Sequence, residues 1–256
     1  MRQCIFCGSK TNINREHLWP EWVLKRVEPE TIIGFIGHNK DLEFKREWKV
    51  RCVCKECNEG WMHKLEDANI PIMGPLIDGR SRLLDKVQQW SIAVWSVKTS
   101  MVLDSATAPA VSLFYTQEER YNLREFGLIP RGTLVWLGYF HAIHDVAAGA
   151  SQIRTGLPDK VDFPTRISTF LLGSLVIQVT TSHLSPEYRD RTIVISSAER
   201  PWNYLIVPCW PTCDASVYWP PVMPLDLGGT TSDFSAFADR FNLGIDIPLP
   251  PKGSSG

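Results

Sequence analysis

No apolar run in the 256 residues approaches the roughly 20 needed to cross a bilayer as a helix, so no membrane partner is expected. An excess of charge is missing too: 27 Lys and Arg stand against 28 Asp and Glu, for a formal net charge of -1. That balance excludes a polycation, and any affinity for nucleic acid has to come from a local patch. Lys45, Arg46, Lys49, Arg51 and Lys55 offer one, but Glu43, Glu47 and Glu56 are interleaved with them, so a solvated strand face accounts equally well for the same residues. Internal repeats and low-complexity segments are lacking. A signal-peptide pattern is absent as well: Met-Arg-Gln-Cys leads straight into a cysteine motif. The expected setting is therefore a reducing cytoplasm, in which cysteines serve metal rather than disulfides.

What the chain does have is seven cysteines, concentrated in its first quarter. Cys4-Ile-Phe-Cys7 and Cys54-Lys-Glu-Cys57 are paired knuckles, and two such pairs bring four thiolates to one tetrahedral ion, for which Zn²⁺ is the usual occupant. Gly8-Ser9-Lys10-Thr11-Asn12 supplies turn chemistry directly after the first knuckle. Cys52 is a weaker alternative ligand, and Cys209 and Cys213 read as core or loop thiols. Between the knuckles stands Glu16-His17, and immediately after the second stands Asn58. An acid, an imidazole and an amide are thus carried by one metal-stapled scaffold, which is the composition of a hydrolytic site.

The pattern along the chain predicts two α+β units, residues 1–70 and 80–250. Trp19 to Arg26 has helical spacing with Pro20 near its start, and its tryptophans would pack over the site. Residues 28–41 read as a hairpin or loop, Leu42 to Val53 as one strand leading into Cys54, and Asn58 to Glu66 as a helix with Trp61, Met62 and Leu65 buried. Pro71, Pro75 and two glycines between Asn69 and Gly79 predict a break and a domain boundary. Beyond it, Ser81 to Leu103 predicts a long helix, and Thr116-Gln-Glu-Glu119 a capping box opening a shorter one that Gly127 and Pro130 end. Strands are predicted over Thr133 to His141, Phe170 to Thr180, Arg191 to Ser196 and Asn203 to Val207, forming an antiparallel sheet on the long helix, with a last helix over Ser232 to Asn242. His141, His144 and Asp145 are assigned a structural role, and Trp136, Trp202, Trp210 and Trp219 are read as core and interface aromatics.

With the three motifs in this order, residues 1 to about 66 resemble the zinc-knuckle branch of the HNH (ββα-metal) endonucleases. Glu-His-Leu-Trp-Pro-Glu-Trp, followed by Cys-Asn-Glu-Gly-Trp-Met-His-Lys-Leu-Glu, is similar to a group of bacterial HNH proteins often found among anti-phage effectors. The resemblance implies a divalent-metal-dependent endonuclease acting on nucleic acid, DNA ahead of RNA. His17 would be the general base, Glu16 and Asn58 the ligands of a catalytic Mg²⁺ or Mn²⁺, and the zinc on Cys4, Cys7, Cys54 and Cys57 structural. The second unit would supply a sensor, targeting or assembly surface, for a protein partner or a second copy. The sequence departs from the family where the helix ligand is Asn58 rather than histidine, where His63 stands as a substitute five residues on, and where the middle asparagine has only Asn39 as a counterpart. The alternative is a zinc-stabilised DNA- or protein-binding module in which the Glu-His pair is inert.

Overall fold

The structure, a computed structural model, describes residues 3–28, 32–36, 41–44, 48–107, 113–140, 146–156, 162–184, 194–195, 205–212, 215–225 and 245–246. Asn39, His141, His144, Asp145, Trp202, Cys213 and the helix expected over 232–242 lie outside them. The described chain mixes helix and strand. Its first strand, β1 (Ile13–His17), is followed by the helix α1 (Glu21–Val27), with Pro20 in the capping position where its missing N–H costs nothing. A hairpin of β2 (Ile32–Ile36) and β3 (Asp41–Phe44) comes next, then β4 (Lys49–Cys54). The single strand expected over Leu42 to Val53 is therefore divided: β3 belongs to the hairpin, while β4 pairs antiparallel with β1, Ile13 opposite Cys54 and His17 opposite Lys49.

β4 runs without a loop into helix. One turn, α2 (Lys55–Cys57), gives way to a π turn over Asn58–Met62, where the His63 amide donates to the Asn58 carbonyl and Gly60 takes a non-helical conformation, and then to α3 (His63–Ile77). The break expected between Asn69 and Gly79 is not there, since α3 continues through Pro71 and Pro75. Pro75 has no N–H for the carbonyl of Pro71, and the Arg82 guanidinium donates to that carbonyl instead at 2.9 Å. Apolar residues on both sides of this segment, from Cys4 to Trp219, form one continuous core.

The long helix also begins later than its spacing suggests. Arg82–Leu84 form a strand, β5, and the helix α4 spans Lys86–Thr107. Its start is set by Asp85 and Gln88, whose side chains cap each other's backbone amides at 2.8 and 3.1 Å. Residues 91–104 of α4 are buried throughout, as befits a helix enclosed on all sides. Ser96 and Thr99 satisfy their hydroxyls on the carbonyls four residues back. The helix α5 (Gln117–Phe126) carries the expected capping box, Thr116 with Glu119, and ends at Gly127 with φ 63°.

Around α4 lies a mixed sheet built from β6 (Thr133–Tyr139), β7 (Val146–Gly156), β8 (Asp162–Leu172) and β9 (Leu175–Ser182). After the two-residue β10 (Val194–Ile195) come β11 (Ile206–Trp210), β12 (Val217–Trp219) and β13 (Ile245–Asp246). β10 pairs with β13 and β5 with β12, while the seven-stranded sheet has the order β11-β6-β9-β8-β7-β2-β3. Every pairing in that sheet is antiparallel except β2 with β7. The strand expected over Phe170 to Thr180 is two strands folded at Gly173 (φ 56°) and Ser174. β7 has no counterpart in the sequence pattern, because Val-Ala-Ala-Gly-Ala-Ser carries little strand propensity of its own and is held by neighbours on both sides.

Replacing Thr116 or Asp85 by alanine removes a side-chain acceptor from a helix start. Each change is expected to lower unfolding free energy by about 1 kcal/mol, read from the midpoint of a urea titration.

Candidate functional site

The two knuckles meet as their spacing predicts. The sulfurs of Cys4, Cys7, Cys54 and Cys57 all lie within 4.8 Å of one another, with Cys7 and Cys54 at 3.5 Å. A tetrahedral ion with sulfur bonds of about 2.3 Å separates its ligands by roughly 3.8 Å, so the cluster has the size of a four-thiolate zinc site and can hold such an ion. Local backbone makes it. After Cys4 the chain turns so that the Gly8 amide donates to the Cys4 carbonyl at 2.9 Å and the Cys4 amide to Ser9 at 2.7 Å, with Gly8 at φ 74°. Cys54 caps the helix, its sulfur accepting from the Cys57 amide at 3.4 Å. The loop is tied down by the Ile5 amide on Cys52 and the Lys55 amide on Asn12, both at 2.9 Å.

A hydrogen bond from Cys57 draws the Cys4 thiol down to about 4, burial pushes Cys54 up to about 11, and the same bond to Cys4 holds Cys57 well above the usual thiol range. A divalent ion ionises all of them at once. Cys52 is not in the cluster; burial pushes its thiol up to about 12. Cys209 donates to the Gln89 carbonyl at 3.2 Å, as a buried core thiol does.

Glu16 and His17 occupy the end of β1 farther from the cysteines. Glu16 does not stand alone. The carboxylate of Glu66, on the first turn of α3, accepts from Trp22 Nε1 at 2.7 Å, Trp95 Nε1 at 2.8 Å and Lys98 Nζ at 2.6 Å. The Lys98 and Glu66 side chains are 2% and 13% exposed, so this ion pair is shielded from water. Burial pushes the Glu16 carboxyl up to about 7, with Lys98 opposing the rise and Glu66 adding to it. Glu66 and Lys98 thus form a charged pair joining α3 and α4, and its field reaches Glu16 on β1. His17 is half-buried, with the head of α1 beside it: exposed Glu21 is held low chiefly by Lys25, at 3.0 Å, and to a lesser degree by His17.

Asn58 is half-buried at the opening of the π turn, on the same helical segment as Glu66 but eight residues before it. His63 faces solvent and pairs with Asp67 at 3.6 Å. The tryptophans expected over the site have other partners: Trp19 is buried edge-on to Phe170 at 5.5 Å, and Trp22 donates to Glu66. The sequence reading missed Glu66, Lys98 and Trp95 as a unit. Lys98 carried the detectable signal, as a lone basic residue amid the apolar run of α4.

Removing the Lys98 charge with Lys98→Met leaves the Glu66 carboxylate without its cation and is expected to cost about 3–5 kcal/mol, measured by chemical denaturation. Metal analysis of purified protein should find one zinc per chain, lost in Cys4→Ser together with the cobalt–thiolate absorption that Co²⁺ substitution gives in the parent.

Against this geometry, no protein-family model, no curated protein and no solved structure matches the chain.

Proposed function

We propose that the chain is a divalent-metal-dependent endonuclease of the HNH type that hydrolyses phosphodiester bonds in nucleic acid, DNA before RNA, with a zinc on the four cysteines serving structure alone. The observation that supports this most is one of order and register. β1, bearing Glu16 and His17, pairs with β4, and β4 passes through Cys54 and Cys57 directly into a helix that Asn58 opens. A strand pair followed by a helix, with an acid, an imidazole and an amide at those places, is what the resemblance requires. The bacterial defence setting rests on that likeness as well.

Glu16 and Asn58 would hold the catalytic Mg²⁺ or Mn²⁺, both being hard oxygen donors. When bound, such an ion supplies positive charge against the oxygens of the scissile phosphate. The chain's own residues do the rest. His17 takes the proton of the attacking water, a role an imidazole fills at neutral pH. Its backbone is fixed by the β1–β4 ladder and by the Leu18 amide, which donates to Trp48 at 2.8 Å. Burial sets the proton loss of Glu16 near neutrality, with the Lys98 charge opposing that rise and the Glu66 charge adding to it. Four thiolates leave no coordination position for phosphate, so the zinc takes no part in the chemical step.

Plasmid, linear DNA and RNA incubated with Mg²⁺, Mn²⁺ or EDTA test the activity, and nicking or cutting is expected only with the divalent ion. His17→Ala should lose at least ~10²-fold in rate and keep its zinc; wild-type rates in that variant would favour the inert binding module. The pH dependence has a definite sign. A proton on Glu16 excludes a cation, and because its carboxyl sits near about 7, the Mg²⁺ concentration for half-maximal cleavage should fall as pH rises from about 6 to 8. Glu16→Gln should flatten that fall.

A further inference from the structure

A cleft of about 1070 Å³ opens between β1 and β4 on one side and the end of α4 and the start of α5 on the other. Its lining is one-signed. Lys10, Arg15, Lys49, Arg51 and Arg120 contribute to it, and among the described residues no carboxylate does, although acids slightly outnumber bases in the chain. Lys10, Arg15, Lys49 and Arg51 are exposed and stand along the edge of the β1–β4 pair, whose register sets Lys49 opposite His17. Lys49 and Arg51, two apart on one strand, share a face.

Arg120 is different in kind. Its side chain is only 3% exposed, yet it reaches the cleft. Nη2 donates to Asp104 at 2.8 Å, while Nε is buried without a hydrogen-bond partner. Asp104 is not Arg120's alone, since its other oxygen meets Arg166 at 3.3 Å. A buried guanidinium with an unused donor is costly unless something supplies an acceptor. An anion entering from the cleft would supply it.

We propose that this cleft binds the phosphodiester backbone of a nucleic-acid strand, with Arg120 seating one phosphate at its floor and Lys10, Arg15, Lys49 and Arg51 neutralising others along its edge. A row of separate cations fits a chain of repeated charges better than a single small anion, and contacts of this type position a strand without reading its bases. The track ends beside His17, so the scissile bond would arrive where the proposed chemistry sits. To that extent the inference rests on the nuclease reading.

Binding can be measured apart from cleavage. Fluorescence anisotropy of a labelled DNA duplex, its single strand and an RNA of the same sequence, without added divalent ion, gives affinity as a function of salt for the full chain. Each phosphate contact contributes about 0.9 to the slope of log affinity against log salt for duplex and about 0.7 for single strands. Arg15→Gln/Lys49→Gln should therefore flatten the slope by roughly 1.4 to 1.8, while Lys64→Gln, an exposed change on α3, should leave it alone. Arg120→Lys keeps the charge beside Asp104 and removes Nε, so weaker binding at unchanged slope is expected, with zinc content and circular dichroism confirming that each variant folds.

An unchanged slope in the double variant overturns the cleft, and wild-type affinity in Arg120→Lys overturns its floor. Tripolyphosphate competing as well as DNA at equal phosphate concentration would overturn the strand in favour of a small-anion site. A parent protein that binds with the expected slopes and never cleaves sinks the nuclease reading and leaves the cleft standing. One that cleaves while the double variant keeps its slope does the reverse.

Discussion

A carboxylate buried among tryptophans has to be answered by donors, and the carboxylate of Glu66 is answered by three, from two helices. Trp22 comes from the helix after β1, Trp95 and Lys98 from the long central helix, and Glu66 itself from the helix that follows the second knuckle. Removing any one partner leaves charge or an indole N–H in a place that water reaches poorly. Glu16 feels this knot through its charges: burial raises its carboxyl towards neutrality, Lys98 opposes the rise and Glu66 adds to it. The four cysteines fix the other end of the same helical segment. Between the two anchors runs the path from Cys54 to Glu66, and beyond it α3 continues through Pro71 and Pro75 to Ile77.

Much of the candidate site was legible because its signals are local. Cys4, Cys7, Cys54 and Cys57 announce their geometry through a two-residue spacing that only a tight turn or a helix start can serve, and the sulfurs do converge. Thr116 and Glu119 announced a helix start in the same way, and the matching pair Asp85 and Gln88 would have placed the start of α4 correctly had it been read. Glu66, Lys98 and Arg120 were harder. Each is an ordinary charged residue on a helix, and its meaning comes from partners far along the chain, such as Asp104 and Arg166. Of the five cations expected as a patch, Lys45 and Arg46 lie outside the described residues and Lys55 pairs with Glu59 at 3.8 Å. Lys49 and Arg51 line the cleft, joined by Lys10, Arg15 and Arg120 from elsewhere.

The fold was legible in kind and less so in detail. Helix and strand alternate broadly where periodicity puts them, but prolines in α3 were mistaken for an end. A proline inside a helix crowds the preceding turn and deprives a carbonyl of its donor, and for the carbonyl of Pro71 Arg82 makes good the second loss. β7 was invisible because its alanines and glycine gain strand structure from β8 and β2 rather than from propensity.

The parallel pairing of β2 with β7 bears on how the molecule comes into being. Residues 32–36 of β2 have their sheet neighbour at 146–150, so a ribosome must release more than half the chain before the hairpin following Glu16 and His17 can dock. Loop closure over such a distance has to precede the contacts that reward it. That hairpin therefore joins the sheet late, whereas the β1–β4 pair and the four cysteines, all within residues 4–57, can meet before β7 is made. A chain cut short before β7 would leave β2 without its parallel neighbour while the cysteine cluster still had all its parts.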